Sequence, residues 1–531
     1  MTSGSSEKSA AKDSTGSPAT GLGGGSGMQL IVPLQGVVQG SGGIVLGSLI
    51  PCALFYVLQL YLKRNRSPSP PPSPSDDGSW ETHAISRSPS RNVLSPRGSS
   101  GHAAVSSRAS SIAKSGGSPY FVGSRKCSED PYHPIDNPDG VIQLGLAENH
   151  LSLDLIGDWL AKHMKDSVLN EQRGLGGLSI SRLAAYQPFD GLMELKMGVA
   201  GFMGQAVGGS VSFDPSQIVL TAGATPAIEI LSFCLADPGN AFLVPSPYYP
   251  GYDRNMRWRA GIELIPVPCR SMDNFVLNIA LLERSYNQAK KRGVKVRAIL
   301  FSNPSNPVGN LLSRETLHDL IDFATEKNIH VIADEVFAAS TYGNEEFVSI
   351  AEVMNTHEFD MSRIHIIYGL SKDLSIPGFR IGLIYSFNEH LLAAASKLSR
   401  FSSVSVPTQH LVISMLTDTK FITEYIKMNR ERLRVMYELL VNGLQQLGIE
   451  CAKSSGGFYC WADMSKFMKS YSEKGEFELW KDMLNLAKIH ATPGLACHCI
   501  EPGWFRLCFT TLTQKDIPVV IERIKRVTYR H

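Results

Sequence analysis

The chain has 531 residues, 43% hydrophobic and 19% charged, and 51 lysines and arginines against 49 aspartates and glutamates leave a net charge of +2. This length exceeds one ordinary domain and supplies enough apolar side chain for a large core, while near-neutral charge excludes a strongly basic nucleic-acid-binding surface. Nine cysteines, an odd number without paired zinc-type spacing, fit reduced thiols in a cytosol-facing protein better than a secreted disulfide framework.

Residues 1–42 begin with Gly, Ser, Thr and Ala and almost no large apolar side chain, so they cannot offset their ordering entropy and are expected to be disordered. "GIVLGSLIPCALFYVLQLYL", Gly43 to Leu62, follows as twenty residues without a charge, the length of a membrane-spanning helix. "KRNR" comes next and favours a cytosolic position for everything beyond it, with the short N-terminus outside or lumenal. Pro51 is tolerated in such a span. The expectation is a single-pass membrane protein with a cytosolic catalytic region. The alternatives are an organelle-targeting presequence, given the scarcity of acids from Ser14 to Ser75, or a soluble cytosolic protein with an apolar tail. Residues 63–118, typified by "SPSPPPSPSDDGS", read as a disordered Ser/Pro-rich tether.

From about residue 119 to His531 the composition becomes mixed apolar and charged, as expected of a folded region. "QIVLTAG" is followed by the helical pattern "TPAIEILSFCLA", and "VRAILFSNPSNP" by "RETLHDLIDFATEK". "AFLVPSP", "HVIADEVF" and "IHIIYGLSK" continue the series. Continuous Val/Ile/Leu strands alternating with helices predict an α/β fold, with a mostly parallel sheet covered on both faces over about residues 215–400. A smaller α/β part is expected from about 141–214 and 401–531, with "FYCWADM" and "WFRLCF" as antiparallel strands and a closing helix.

Ligands of parallel sheets sit at the carboxyl ends of the strands, and several polar residues fall there. Lys372 stands in a glycine-rich loop, "YGLSKDLSIPGFRIG", where burial would lower its basicity and make it a Schiff-base former. An ordinary surface lysine is the bland alternative. Asp334 closes an apolar strand and would keep a pyridine nitrogen protonated, although such an acid commonly caps a helix. Asn306 would donate to a phenolic oxygen, against the plain reading of an Asn-Pro turn. Ala224 and Thr225 open a helix and make an anion seat suited to phosphate, to which Arg380 adds a guanidinium. Arg506 interrupts an apolar strand and could hold a carboxylate with two parallel bonds, and Tyr249 offers a face for a flat ring. Cys497-His498-Cys499 is the nearest approach to a metal motif, and no metal site is expected there. Together these groups are what pyridoxal phosphate requires.

The motifs "LGLAENHLSLDLI", "TAGATPAIE", "PYYPGYDRNMRWR", "NPSNPVG", "GLSKDLSIPGFRIG" and "WFRLCF" carry a resemblance to the fold-type I pyridoxal-phosphate enzymes. Within them the chain most resembles plant aminocyclopropane-carboxylate (ACC) synthase and the aminotransferases classed with it. The resemblance implies Lys372 as the cofactor-bearing lysine, Asp334 on the pyridine nitrogen, Asn306 on the ring hydroxyl and Tyr249 over the ring. It further implies Ala224, Thr225 and Arg380 at the phosphate, Arg506 on the substrate carboxylate, Glu148 facing the substrate, and a homodimer with shared active sites.

The chain departs from the family pattern at four places. Phe189 in "QPFDGL", Phe337 in "DEVF" and Gly369 before the lysine each stand where the family has a hydroxyl, and His150 replaces a glutamine. Looser cofactor binding is expected, with Asn306 the one evident donor left on the ring oxygen. These departures favour an aminotransferase that moves the amino group of an α-amino acid to a 2-oxo acid. ACC synthase chemistry on S-adenosylmethionine is the runner-up, and a scaffold protein that has lost turnover is the third reading.

Overall fold

Seven short runs dominated by Val, Ile, Leu and Phe pair into one sheet in the computed structural model, which describes residues 105–114, 117–169, 183–354 and 359–529. They are β1 (Ile218–Thr221), β2 (Ala241–Ser246), β3 (Glu263–Pro268), β4 (Val296–Ser302), β5 (His330–Asp334), β6 (Ile364–Gly369) and β7 (Gly382–Ser386). Their order is β1-β7-β6-β5-β4-β2-β3. All neighbours run parallel except β7, which is antiparallel to both β1 and β6. The sequence reading did not single out β3 or β7. Pro266 and Pro268 disguise β3, and they are tolerated because it lies at the sheet edge, where a missing N–H leaves no ladder bond unmade.

The side-chain period of two explains why these strands read as unbroken apolar runs. In β2, Phe242 and Val244 pack on one face with Ile228 and Leu231 of the helix Ala224–Leu235. Ala241 and Leu243 pack on the other face with Leu317 and Leu320 of the helix Arg314–Lys327. Each fully buried Leu or Phe contributes roughly 1.5–3 kcal/mol, so both faces demand cover. The helices begin and end on local signals. The Ser313 hydroxyl accepts the Thr316 amide at 3.2 Å to start Arg314–Lys327, and Asn328 in the left-handed region, φ 54°, ends it.

Register brings the functional ends level. Ser302 lies opposite Asp334, Asp334 opposite Ile367, Gly369 opposite Gly382, and Gly382 opposite Thr221. The loops carrying residues 223–225, 306 and 372 therefore leave the sheet at one end, the carboxyl end of their strands.

A second, antiparallel sheet of Thr492–Pro493, Trp504–Cys508, Tyr459–Asp463 and Glu450–Cys451 sits over the helices Thr419–Gln446 and Ile517–Thr528. Leu433, Leu440, Val520 and Ile524 fill the space between them.

The predicted membrane span, Gly43–Leu62, lies outside the described residues. Among the described residues no helix is long and apolar enough to cross a membrane. The tether was expected to be unstructured to residue 118, yet Ser107–Lys114 is helical. The Ser106 hydroxyl accepts the Ala109 amide at its start, and the helix buries none of its residues. The helix Pro119–Glu129 follows and does bury side chains, Tyr120 and Cys127 among them.

Candidate functional site

Lys372 is placed by the end of β6 and the short helix Leu370–Asp373 that follows it. Its Nζ donates to the Ala147 carbonyl, which joins the lysine loop to the "LAEN" segment. Burial lowers its pKa to about 8. Cys508 and Glu148 oppose that shift, and Arg506 and Arg380 reinforce it. The neighbouring Asp373 points the other way, into the core, where it accepts the Ala339 amide at 2.8 Å and the hydroxyls of Ser340 at 2.6 Å and Tyr368 at 2.5 Å. The bonds to Ala339 and Ser340 pin the lysine loop to the segment beyond β5, and the Tyr368 bond ties it to its own strand.

Asp334 is the last residue of β5 and almost wholly buried. Its Oδ2 accepts the Tyr252 hydroxyl at 2.6 Å. Burial raises the carboxyl pKa to about 6, with the Tyr252 bond and the Val336 amide pulling it back. A carboxylate held this way is ready for a cationic partner.

Arg506 is fully buried in the second sheet. One terminal nitrogen donates to Asn306 Oδ1 at 2.9 Å, and the other to the Gly145 carbonyl at 2.6 Å. Its Nε is a buried donor without an acceptor among the described residues. The bond from Arg506 fixes the Asn306 amide with Nδ2 turned toward the cavity wall.

Gly223, at φ 100°, bends the chain from β1 into the helix Ala224–Leu235. A Cβ there would meet Arg380 Nη2 at 2.2 Å, so only glycine leaves Arg380 in place. Arg380 itself is held by the carbonyls of Pro377 at 2.8 Å and Ala222 at 3.1 Å. The free amides of the helix start and this guanidinium face one end of the cavity.

Seven of the nine residues proposed from sequence, Ala224, Thr225, Tyr249, Asn306, Asp334, Lys372 and Arg380, line a single cavity of about 890 Å³ including its open mouth. Arg506 stands behind the wall and reaches the cavity through Asn306. Glu148 is not in the lining. Its carboxylate pairs with His150 Nε2 at 3.2 Å, and that bond holds its pKa below the usual range. The sequence reading missed Tyr120, Tyr252, Ser302, Ser371 and Tyr459, which also line the cavity. Tyr252 had a signal: it follows Tyr249 by three residues as the chain enters the helix Gly251–Arg257. Tyr459 lies in the motif already read as a strand. Tyr120 comes from the helix at the end of the tether and had none.

Phe337 lies in the lining, edge-on to Phe458 at 5.0 Å. Gly369 lies there too, and a Cβ on it would come within 3.0 Å of the Ile381 carbonyl. Phe189 lies outside the lining, beneath the Arg400 guanidinium at 4.7 Å. His498, in the suspected metal motif, pairs with Asp253 at 2.6 Å.

A family model described as aminotransferase class I and II matches residues 141–524. The chain is 62% identical to 1-aminocyclopropane-1-carboxylate synthase 6 of Oryza sativa subsp. japonica, over 95% of this chain and 94% of that one. It is 58% identical to Probable aminotransferase ACS12 of Arabidopsis thaliana, over 94% of this chain and 99% of that one. Among solved structures, aspartate aminotransferase from Thermus thermophilus with maleate superposes with a TM-score of 0.62 at 22% identity, covering 80% of this chain and all of that one. That likeness shows the fold.

The residues present fit pyridoxal phosphate, the cofactor of these enzymes. A primary amine of lowered basicity, a buried carboxylate, an amide and a glycine-cradled phosphate seat converge on one cavity. Lys372 would carry the cofactor, Asp334 would hold its ring nitrogen, and Arg380 with the amides of Ala224 and Thr225 would hold its phosphate.

Proposed function

Because the chain belongs to the class I and II aminotransferase family, we propose that it uses pyridoxal phosphate to convert S-adenosylmethionine into 1-aminocyclopropane-1-carboxylate. The observation that carries this reading is the 62% identity, over 95% of the chain, to the rice synthase. The bound cofactor supplies an electron sink for the charge left when the Cα proton departs. Lys372, with its pKa near 8, is the base for that proton, and Arg506, reached through the cavity wall beside Asn306, is the guanidinium for the substrate carboxylate. Asp334 keeps the ring nitrogen charged.

Transamination, which the sequence reading favoured, uses the same groups and is the second reading. The relatives' names back the synthase better. The specific support for transamination is the 58% identity to Probable aminotransferase ACS12, together with Phe337 and His150 at positions where the family pattern differs. Incubating the full chain with S-adenosylmethionine and, separately, with single amino acids plus a 2-oxo acid decides between them. A cyclopropane amino acid supports the first reading. Conversion of the bound cofactor to its amine form by an amino acid, without cyclopropane product, overturns it.

A homodimer belongs to the same proposal. Tyr186 is 93% exposed and Phe401 77% exposed, a large aromatic surface beside Phe189 and Arg400. Light scattering of the purified chain tests it, and a monomeric mass would refute it.

A further inference from the structure

Tyr459 opens a strand of the second sheet and is fully buried, yet its side chain lines the cavity. Phe337 lies edge-on to it, ring centroids 6.0 Å apart. The Arg506 guanidinium sits 4.4 Å over the Tyr459 ring. Because Arg506 occupies Asn306 Oδ1, the Asn306 Nδ2 faces the Tyr459 hydroxyl, at 3.5 Å, the outer limit of a hydrogen bond. The phenol's own O–H has no acceptor among the described residues, and burial keeps it protonated. A buried donor beside an amide donor, both turned to one cavity, is an arrangement that an anionic oxygen would complete.

We propose that the Tyr459 hydroxyl, together with Asn306 Nδ2, donates to the ring oxygen of bound pyridoxal phosphate and takes the place of the hydroxyl that Phe337 lacks. It adds a second donor to Asn306, the one evident from the sequence. The proposal rests on the cofactor and is independent of which reaction follows. Two donors stabilise the negative ring oxygen. Losing one makes that oxygen more basic, which strengthens its hold on the proton it shares with the Lys372 nitrogen, so the link between lysine and cofactor keeps that proton to higher pH.

The test uses the full chain loaded with pyridoxal phosphate and no substrate. The visible absorption of the cofactor is titrated against pH, and cofactor affinity is measured by equilibrium dialysis, for the unaltered chain, Tyr459→Phe, Phe337→Tyr and the double variant. Tyr459→Phe is expected to move the pH midpoint up by about 0.5–1.5 units and to weaken cofactor binding about 3- to 30-fold. Phe337→Tyr in the Tyr459→Phe background is expected to bring the midpoint back, which a merely structural loss would not allow. An unmoved midpoint in Tyr459→Phe would overturn the proposal. A midpoint that moves but is not restored in the double variant would also overturn the substitution of one hydroxyl for the other. No visible band in the unaltered chain would instead overturn the cofactor assignment, a separate failure.

Discussion

The Tyr252 hydroxyl donates to Asp334 Oδ2 at 2.6 Å, and this bond opposes the rise in the carboxyl pKa that burial causes. Tyr252→Phe removes it. In the cofactor-free protein the Asp334 pKa is then expected to climb further above about 6, by about 1–2 units, the equivalent of one hydrogen bond to a charged group. The pH dependence of cofactor binding to the variant, read by equilibrium dialysis, checks this, and an unmoved acid limb of binding would show that Asp334 does not control it.

The same residue sets a stability prediction for the cofactor-free protein. The folded pKa of Asp334, about 6, lies above the ordinary 3.8, so its favourable contribution is complete below pH 4 and lost as pH rises through 6. Asp334→Asn keeps the Tyr252 bond and removes the buried charge. The cofactor-free variant should therefore be more stable than the parent at pH 7, by about 1–3 kcal/mol, while binding the cofactor more weakly. Thermal unfolding with and without cofactor reads both effects. A cofactor-free variant that melts lower at pH 7 would contradict the argument.

Much of this was legible because the local signals were strong. β-branched runs ended by turn residues gave β4, β5 and β6, and motif spacing placed Asp334 at the end of β5 and Asn306 and Lys372 just beyond β4 and β6. Tyr459 was hidden for a physical reason. It reads as an ordinary strand aromatic, and only tertiary packing brings its hydroxyl beside Asn306 across 153 residues of chain. Tyr120 was hidden likewise, since nothing in a helix that follows a Ser/Pro tether announces a cavity wall. Glu148 had a strong motif, and in this structure its carboxylate pairs with His150, at a position where the family pattern has a glutamine, while still acting on the Lys372 charge.

Arg506→Lys tests the carboxylate clamp. Lysine keeps one charge but cannot satisfy both Asn306 Oδ1 and the Gly145 carbonyl while gripping a carboxylate. KM for the amino acid should rise about 10- to 100-fold, an effect of roughly 1.4–2.7 kcal/mol, with cofactor affinity changed less. Steady-state kinetics and cofactor dialysis on the same preparation separate the two. A cofactor loss larger than the KM change would assign Arg506 to the cofactor.

Gly223→Ala tests the phosphate seat. The residue sits at φ 100°, where a side chain is strained, and the new methyl would meet Arg380 Nη2 at 2.2 Å. Arg380 is an exposed, flexible side chain, so it should swing away rather than unfold the loop. Cofactor affinity is expected to fall about 10-fold or more, and the protein to lose roughly 1–3 kcal/mol of stability from the strained backbone. Unchanged cofactor affinity would remove Arg380 from the phosphate.

His330 and His365 lie on β5 and β6, near the ends away from the cavity, with His330 Nδ1 3.1 Å from His365 Nε2 and His365 Nδ1 2.8 Å from the Ser386 hydroxyl. Protons on both rings would set N–H against N–H across this contact. Burial, then Arg297 and Arg363, lowers the His330 pKa to about 4 against the opposing Asp360, and burial holds His365 well below its ordinary value. Both pKa values are depressed from the unfolded value of about 6.5, so the pair's contribution is whole above that pH and is lost as pH falls toward 4. His330→Asn removes one of the two titrations. The melting temperature of the variant should fall less between pH 7 and about pH 4.5 than that of the parent, by the equivalent of about 1–3 kcal/mol. Equal falls in the two proteins would mean that the acid sensitivity arises elsewhere.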